Sequence, residues 1–203
     1  MRTPRCEQCD QHLGARHAAN ARYCSGRCRT AACRARKRAN VDPVPDALTR
    51  RRQWVRRTAN KVPLVAAPAG RRPRAASSTD PSTWRSHQEA TESPVGVGRG
   101  FVLSETDDLV CIDLDHAITD GALLPWARQI LDQLPPTYVE VSPSGTGLHI
   151  WGHGTVGRGR RIRRGDRCIE LYDRERYVTI TGRPWAGAPS VLGDLTEVLS
   201  TLA

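Results

Sequence analysis

The stretch that most constrains the fold is Leu109-Val-Cys-Ile-Asp-Leu-Asp115. Four of its first five residues are apolar, and it ends on two carboxylates two residues apart. An apolar run of this length reads as a buried strand. Side chains at i and i+2 of a strand point to the same face, so Asp113 and Asp115 project together, opposite Leu114. Two neighbouring carboxylates repel, and each costs free energy to desolvate. A divalent cation between them removes both costs; a strand that frays into a solvated acidic turn is the other reading of the same residues.

Further strands and helices follow from pattern. Phe101–Leu103 reads as a strand that turns through residues 104–108, as a hairpin, into the acidic strand. Leu124, Ala127, Ile130, Leu131 and Leu134 recur on one face of a helix over 121–134, with Pro125 in its first turn. Thr137–Val141 alternates as a strand, Ser142-Pro-Ser-Gly-Thr-Gly147 is a turn, and Leu148–Trp151 returns as a second strand. Residues 152–167 read as an Arg-rich loop. Cys168–Tyr172 and Tyr177–Thr181 read as a hairpin around residues 173–176. Ala47–Thr58 reads as a basic helix, a second helix starts at Asp80 or Ser82 and runs to Glu92, and a third closes the chain over 191–202. His149 and Glu170 are flanked by apolar residues on both sides, so each interrupts a buried pattern, which is costly unless it is paired or metal-bound.

The N-terminus is a different kind of sequence. Five of the seven cysteines lie in the first 33 residues, as Cys6-x-x-Cys9, Cys24-x-x-x-Cys28 and Cys33. Two close pairs separated by a loop are the spacing of a four-thiolate zinc site, with Cys33 left over and His12 and His17 as substitute ligands. Residues 27–38 read as an Arg-rich helix. This forty-residue unit resembles small zinc-ribbon modules that end in a Tyr-Cys-Ser turn and a basic helix, a resemblance that implies contact with nucleic acid. Residues 1–74 carry 19 Lys+Arg against 4 Asp+Glu, and residues 75–203 carry 12 against 17. A front end this basic calls for a polyanionic partner. No apolar run approaches the roughly 20 residues of a membrane span, and the chain does not open as a signal peptide; the expectation is a cytoplasmic protein with no membrane partner.

In order along the chain, Asp113-Leu-Asp115, Ser142-Pro-Ser-Gly-Thr-Gly-Leu-His149 and Ile169-Glu-Leu-Tyr172 resemble the three motifs of archaeo-eukaryotic primases, and more closely those of the primase-polymerase domains of phages and mobile elements. Lys61-Val-Pro63, Asp80-Pro-Ser-Thr-Trp84 and Arg176-Tyr-Val-Thr-Ile-Thr-Gly182 extend the resemblance, which runs from about Trp54 to Pro184. It implies an α+β fold with an RRM-like sheet core and flanking helices over residues 41–203, beside the zinc ribbon of residues 1–40. It implies primer or DNA synthesis on a single-stranded template from NTPs or dNTPs, with Asp113, Asp115, His149 and Glu170 catalytic and the three carboxylates binding Mg²⁺ or Mn²⁺. Lys61, Ser142, Ser144, Gly145, His149, Arg176 and Thr181 would hold the nucleotide, with Asp173 a supporting carboxylate. Arg158, Arg160, Arg161, Arg163 and Arg164 would hold nucleic acid. Gly147 stands where many relatives have serine, so Ser144 or a backbone amide takes over that contact. A separate helicase is the expected partner. Two other functions compete. A rolling-circle nickase needs two histidines separated by a single hydrophobic residue and a nucleophilic Tyr on a helix, but His149 and His153 are four apart and Tyr172 and Tyr177 fall on strands. A non-catalytic zinc-containing binding module would leave the acidic set without a task.

Overall fold

The computed structural model describes residues 4–18, 20–39, 42–165 and 167–202. The chain divides into two compact units, Met1–Asp42 and Pro43–Ala203. The first unit holds one short knuckle, in which the Asp10 amide donates to the Cys6 carbonyl, and helix α1 (Gly26–Ala39). Ser25 starts that helix, its hydroxyl accepting from the Cys28 amide at 3.2 Å. Cys6, Leu13 and Ala32 are its buried hydrophobic residues among those described, too few to fold so short a segment without a further staple.

The second unit is a mixed α+β structure with two antiparallel-rich sheets. It begins with helix α2 (Asp46–Thr49), strands β1 (Trp54–Arg57) and β2 (Pro63–Leu64), helix α3 (His87–Glu92) and strand β3 (Gly98–Leu103). The acidic strand β4 (Leu109–Asp115) follows, then the short pair β5 (Ile118–Thr119) and β6 (Ala122–Leu123), helix α4 (Pro125–Leu131) and strand β7 (Tyr138–Val141). The chain closes with β8 (Leu148–His153), β9 (Arg160–Arg164), β10 (Arg167–Tyr172), β11 (Arg176–Ile180), β12 (Gly193–Asp194) and α5 (Thr196–Leu202). One sheet runs β11-β3-β1-β2, the other β12-β8-β4-β10-β9. Strand β7 also pairs with β8, antiparallel, whereas β12 joins β8 in parallel at Gly193 and Asp194.

Several expectations are corrected. Trp54–Arg57 is a strand, not a helix, because Trp54 and Val55 are buried in different clusters on opposite faces, which only a period of two permits. The helix predicted from Asp80 or Ser82 to Glu92 divides: Asp80 caps only a 3-10 turn over Pro81–Thr83, and the α-helix starts after Ser86, whose side chain accepts from the Glu89 amide while Glu89 returns a bond to Ser86, a capping box. The 121–134 helix is shortened to start at Pro125, since the β5-β6 pair takes residues 118–123. The 191–202 helix likewise begins only at Thr196, after β12. Residues 160–164 form the edge strand β9 rather than a loop, paired from Arg164 to Arg160 along β10. Neither predicted hairpin around β3/β4 or β10/β11 exists. β3 and β11 pair with each other in the first sheet, while β4 and β10 pair in the second.

That exchange stacks the two sheets over a shared core. Alternate residues of β4 go opposite ways. Val110, Ile112 and Leu114 pack with Trp126, Ala127, Ile130, Val198 and Leu199 under helices α4 and α5. Leu109 and Cys111 pack with Trp54, Phe101, Leu103 and Trp151 between the sheets. The rings of Trp54, Phe101 and Trp151 meet edge to face at 5.4 and 6.0 Å, contacts worth about 1 kcal/mol each beyond their burial.

Candidate active site

The face of β4 that carries Leu109 and Cys111 continues to Asp113 and Asp115, so the inter-sheet face turns from apolar to acidic along one strand. The neighbouring strands change at the same level. Tyr138, Trp151, Cys111 and Tyr172 form one rung across β7, β8, β4 and β10. Two residues on, the rung is Glu140–His149–Asp113–Glu170–Arg161, extending onto β9. The next brings Asp115 opposite Cys168. Where the sheets part, His149, Asp113, Asp115, Glu170 and Arg161 line a cleft of about 480 Å³ together with Lys61, Tyr172, Arg176 and Tyr177.

The structure therefore brings Asp113, Asp115, His149, Glu170, Lys61, Arg161 and Arg176 to one cleft. Burial raises the Asp113 pKa from 3.8 to about 6; the charges of His149 and Lys61 oppose the rise, and those of Asp115 and Glu170 reinforce it. His149 is 4 % exposed. Its Nε2 lies 3.8 Å from Asp113 Oδ1 and its Nδ1 lies 3.2 Å from Glu140 Oε1. Burial disfavours the imidazolium, but the Glu140 hydrogen bond and the Asp113 charge outweigh it and hold the His149 pKa above its usual value. Glu170 is buried, accepts from the Tyr172 hydroxyl at 2.5 Å, and pairs with the Arg161 guanidinium. Burial first, and then Glu170, push the Tyr172 hydroxyl up to about 12.

Lys61 is held by its backbone. Its φ is +59°, and its carbonyl accepts from the Tyr177 hydroxyl. Tyr177 can lie along the sheet because position 100 has no side chain: a Cβ there would stand 2.6 Å from the Tyr177 ring.

Other expected residues lie elsewhere or face inward. In the Ser142–Gly147 turn, Ser142 Oγ accepts from the Gly147 amide, Ser144 Oγ from the Thr146 amide, and the Ser142 carbonyl from the Gly145 amide. Those N–H groups are engaged within the turn, and Pro143 is its one residue on the cleft wall. Gly147 leaves no room for a serine side chain, since a Cβ would come 2.8 Å from the Leu114 carbonyl oxygen. Thr181 turns to Glu140, its hydroxyl 3.1 Å from Oε2. Asp173 binds the Val156 and Gly157 amides at 2.8 and 2.9 Å and fastens that turn rather than the cleft. Of the arginines on and before β9, Arg161 enters the cleft, while Arg158, Arg160, Arg163 and Arg164 are exposed outside it.

Two residues of the site escaped sequence reasoning. Glu140, fully buried, accepts from the Thr181 and Gly182 amides, the Tyr138 hydroxyl and the Thr181 hydroxyl as well as facing His149. Alternation in Tyr-Val-Glu-Val gave the reading of a plain strand. Cys168 joins Asp115 and Glu170 in a set whose donor atoms lie within 4.8 Å of one another, a spacing that could hold a metal ion.

In the first unit the sulfurs of Cys6, Cys9, Cys24 and Cys28 lie within 4.8 Å of one another, with Cys9–Cys24 and Cys24–Cys28 both at 3.5 Å. A tetrahedral ion with bonds of about 2.3 Å to sulfur needs sulfurs about 3.8 Å apart, so the donor set fits. Burial disfavours the Cys6 thiolate, but hydrogen bonds from the Cys24, Gln8 and Cys9 backbone prevail and bring its pKa to about 6, while Cys24, crowded by the Cys28 and Cys9 sulfurs, rises to about 12. Cys33 is outside the set. His17 bonds the Gly14 and Cys24 carbonyls, and His12 meets Arg5.

No family model matches the chain. Among curated proteins it is similar to the DNA primase-polymerase of Nitratiruptor phage NrS-1, with 34% identity over 174 residues. The match takes in 76% of this chain and 23% of the relative, so the chain spans less than a quarter of the length of the protein it matches.

Proposed function

We propose that the second unit is the catalytic domain of a DNA primase-polymerase that transfers nucleotides onto a 3′-hydroxyl on a single-stranded template, in phage or mobile-element replication. The observation that carries this reading is the charged rung of the cleft, where Asp113 and Glu170, with Asp115 beside them, share one lining with Lys61, Arg161 and Arg176. The similarity to a phage protein of that name supports it. So does the strand order β7-β8-β4-β10, with α4 crossing from β4 to β7, which is the order of an RRM-like core.

Asp113, Asp115 and Glu170 are hard oxygen donors and would hold Mg²⁺ or Mn²⁺. Such ions, when bound, lower the pKa of the attacking hydroxyl and offset triphosphate charge. The residues of the chain do the rest. The raised pKa of Asp113 marks a carboxylate short of positive charge. His149, fixed by Glu140, directs Nε2 toward the cleft as a donor to a phosphate oxygen of an incoming NTP or dNTP. Lys61 and Arg176 offset the charge of that triphosphate. Arg161 releases Glu170 when the site fills, and with its neighbours on β9 contacts the template. Cys6, Cys9, Cys24 and Cys28 bind Zn²⁺, and the ribbon with its basic helix α1 contacts nucleic acid. A helicase activity would supply the single strand.

The test is synthesis of labelled product on single-stranded DNA in Mg²⁺ or Mn²⁺ by the whole chain and by a variant carrying Asp113→Ala with Asp115→Ala. Product is expected from the first and none from the second; equal signal from both removes the polymerase reading.

A further inference from the structure

A second and larger cleft lies at the other end of β2. It measures about 1020 Å³ and is lined by residues 65–72, Arg74, Arg85, Glu89 and residues 92–94. Its floor is apolar, from Val65, Ala66, Ala67, Pro68 and Pro94. One wall is a finger that continues β2. The Val65 amide donates to the Arg74 carbonyl, Leu64 bridges Ala75, and the tip carries Gly70 at φ +83°.

The charge on this finger is uncommitted. Arg71, Arg72 and Arg74 are exposed and, among the described residues, have no ion pair. The acids of the opposite wall are already engaged: Glu89 closes the capping box and meets Arg52 at 3.3 Å, and Glu92 accepts from Gln88 at 2.9 Å. Three adjacent guanidinium groups cost nothing to leave in water, but each mutual approach is repulsive, and a polyanion relieves it.

The finger is also continuous with the catalytic cleft. Lys61 and Pro63 line that cleft, and Val65 opens the second one. Two residues of extended chain are about 7 Å. A ligand that runs unbroken from one cleft to the other must present negative charge at regular intervals and apolar faces between them. Single-stranded nucleic acid has that chemistry, with phosphates for guanidinium groups and base faces for an apolar floor.

We propose that the groove beneath the Val65–Arg74 finger is a single-stranded DNA track that holds the template outside the catalytic cleft, with Arg71, Arg72 and Arg74 as its phosphate contacts. The proposal rests on the polymerase reading for the identity of the strand.

The test uses the full chain and a variant carrying Arg71→Ala, Arg72→Ala and Arg74→Ala, whose side chains make no hydrogen bond or ion pair among the described residues; unchanged tryptophan fluorescence and melting verify that the variant folds. Binding of fluorescent oligo-dT is measured against salt for a long oligomer and for a short one that fills the catalytic cleft alone. Losing three phosphate contacts should flatten the log K against log salt slope for the long oligomer by about 2, weaken it at least tenfold in low salt, and leave the short one unchanged. An unaltered slope, or equal loss for both lengths, overturns the track. Nucleotide incorporation on a short template separates this from the parent reading. Length-dependent loss in a protein that never incorporates nucleotide keeps the groove and removes the polymerase. Incorporation with no length-dependent loss does the reverse.

Discussion

Asp113→Asn should stabilise the protein while removing its activity. Asp113 is largely withdrawn from water, with 21 % of its side chain exposed, and its pKa is raised from 3.8 to about 6, first by burial. At about 1.4 kcal/mol per unit, the ionised carboxylate burdens the folded state by about 3 kcal/mol at neutral pH. Lost contacts of the replaced oxygen lower the net gain, leaving about 1–3 kcal/mol. The sign follows from proton binding. Between pH 3.8 and about 6 the folded state binds the proton more tightly than the unfolded state, so wild-type stability falls as pH rises through that window. The amide carries no such penalty, so the gap is widest above the upper pKa and closes near pH 4. For a domain of this size it corresponds to a Tm higher by roughly 3–10 °C. All five tryptophans lie in the second unit, so their fluorescence reports its melting without the ribbon. The measurement is thermal unfolding of both proteins at several pH values, free of Mg²⁺ and Mn²⁺. A variant that melts at or below wild type at pH 7.5, or a gap that does not change with pH, refutes the reasoning. Adding Mn²⁺ should then raise the wild-type Tm and leave the variant's where it was.

Three further outcomes follow from the same structure. Glu140→Ala strands the Thr181 and Gly182 amides, the Tyr138 hydroxyl and His149, and should cost about 3–5 kcal/mol in urea unfolding; Glu140→Gln, which keeps an acceptor, should lose less than half of that. Gly147→Ser sets a Cβ 2.8 Å from the Leu114 carbonyl and should destabilise by about 1–3 kcal/mol in the same assay. Denaturing the protein with a colorimetric zinc indicator should release one equivalent of zinc, and Cys24→Ser should abolish that release and reduce far-UV helix signal from α1, with tryptophan fluorescence unmoved.

The acidic strand, its two neighbours and their shared face were legible because each depends on local alternation: Asp113, His149 and Glu170 each break a buried pattern within five residues. The four-cysteine spacing was legible for the same reason. What escaped depends on residues distant in sequence. The hairpin assumption failed at β3/β4 and β10/β11 because the strands exchange sheets, a choice made by the apolar faces of both sheets together and not by the intervening turn. Trp54–Arg57 looked helical because its arginines hid a two-residue period; Arg56 instead reaches the Val95 and Ala90 carbonyls, some 34 to 39 residues away in sequence. Glu140 was read only as part of an alternating strand, because its partner Thr181 lies 41 residues on in sequence.

The charged rung has a consequence for how the sheet assembles. Because side chains alternate, pairing any of β7, β8, β4, β10 or β9 one residue out of step would turn its member of the rung toward Trp126, Ile130 and Val198 beneath the helices. Burying an unpaired charge there costs several kcal/mol, so each misaligned sheet is rejected as it forms. The residues that would perform the chemistry thus also proofread strand alignment. Neutralising several at once should therefore yield a chain that is not only silent but ambiguous in its pairing, prone to slipped and aggregating sheets, even though each single neutral variant folds.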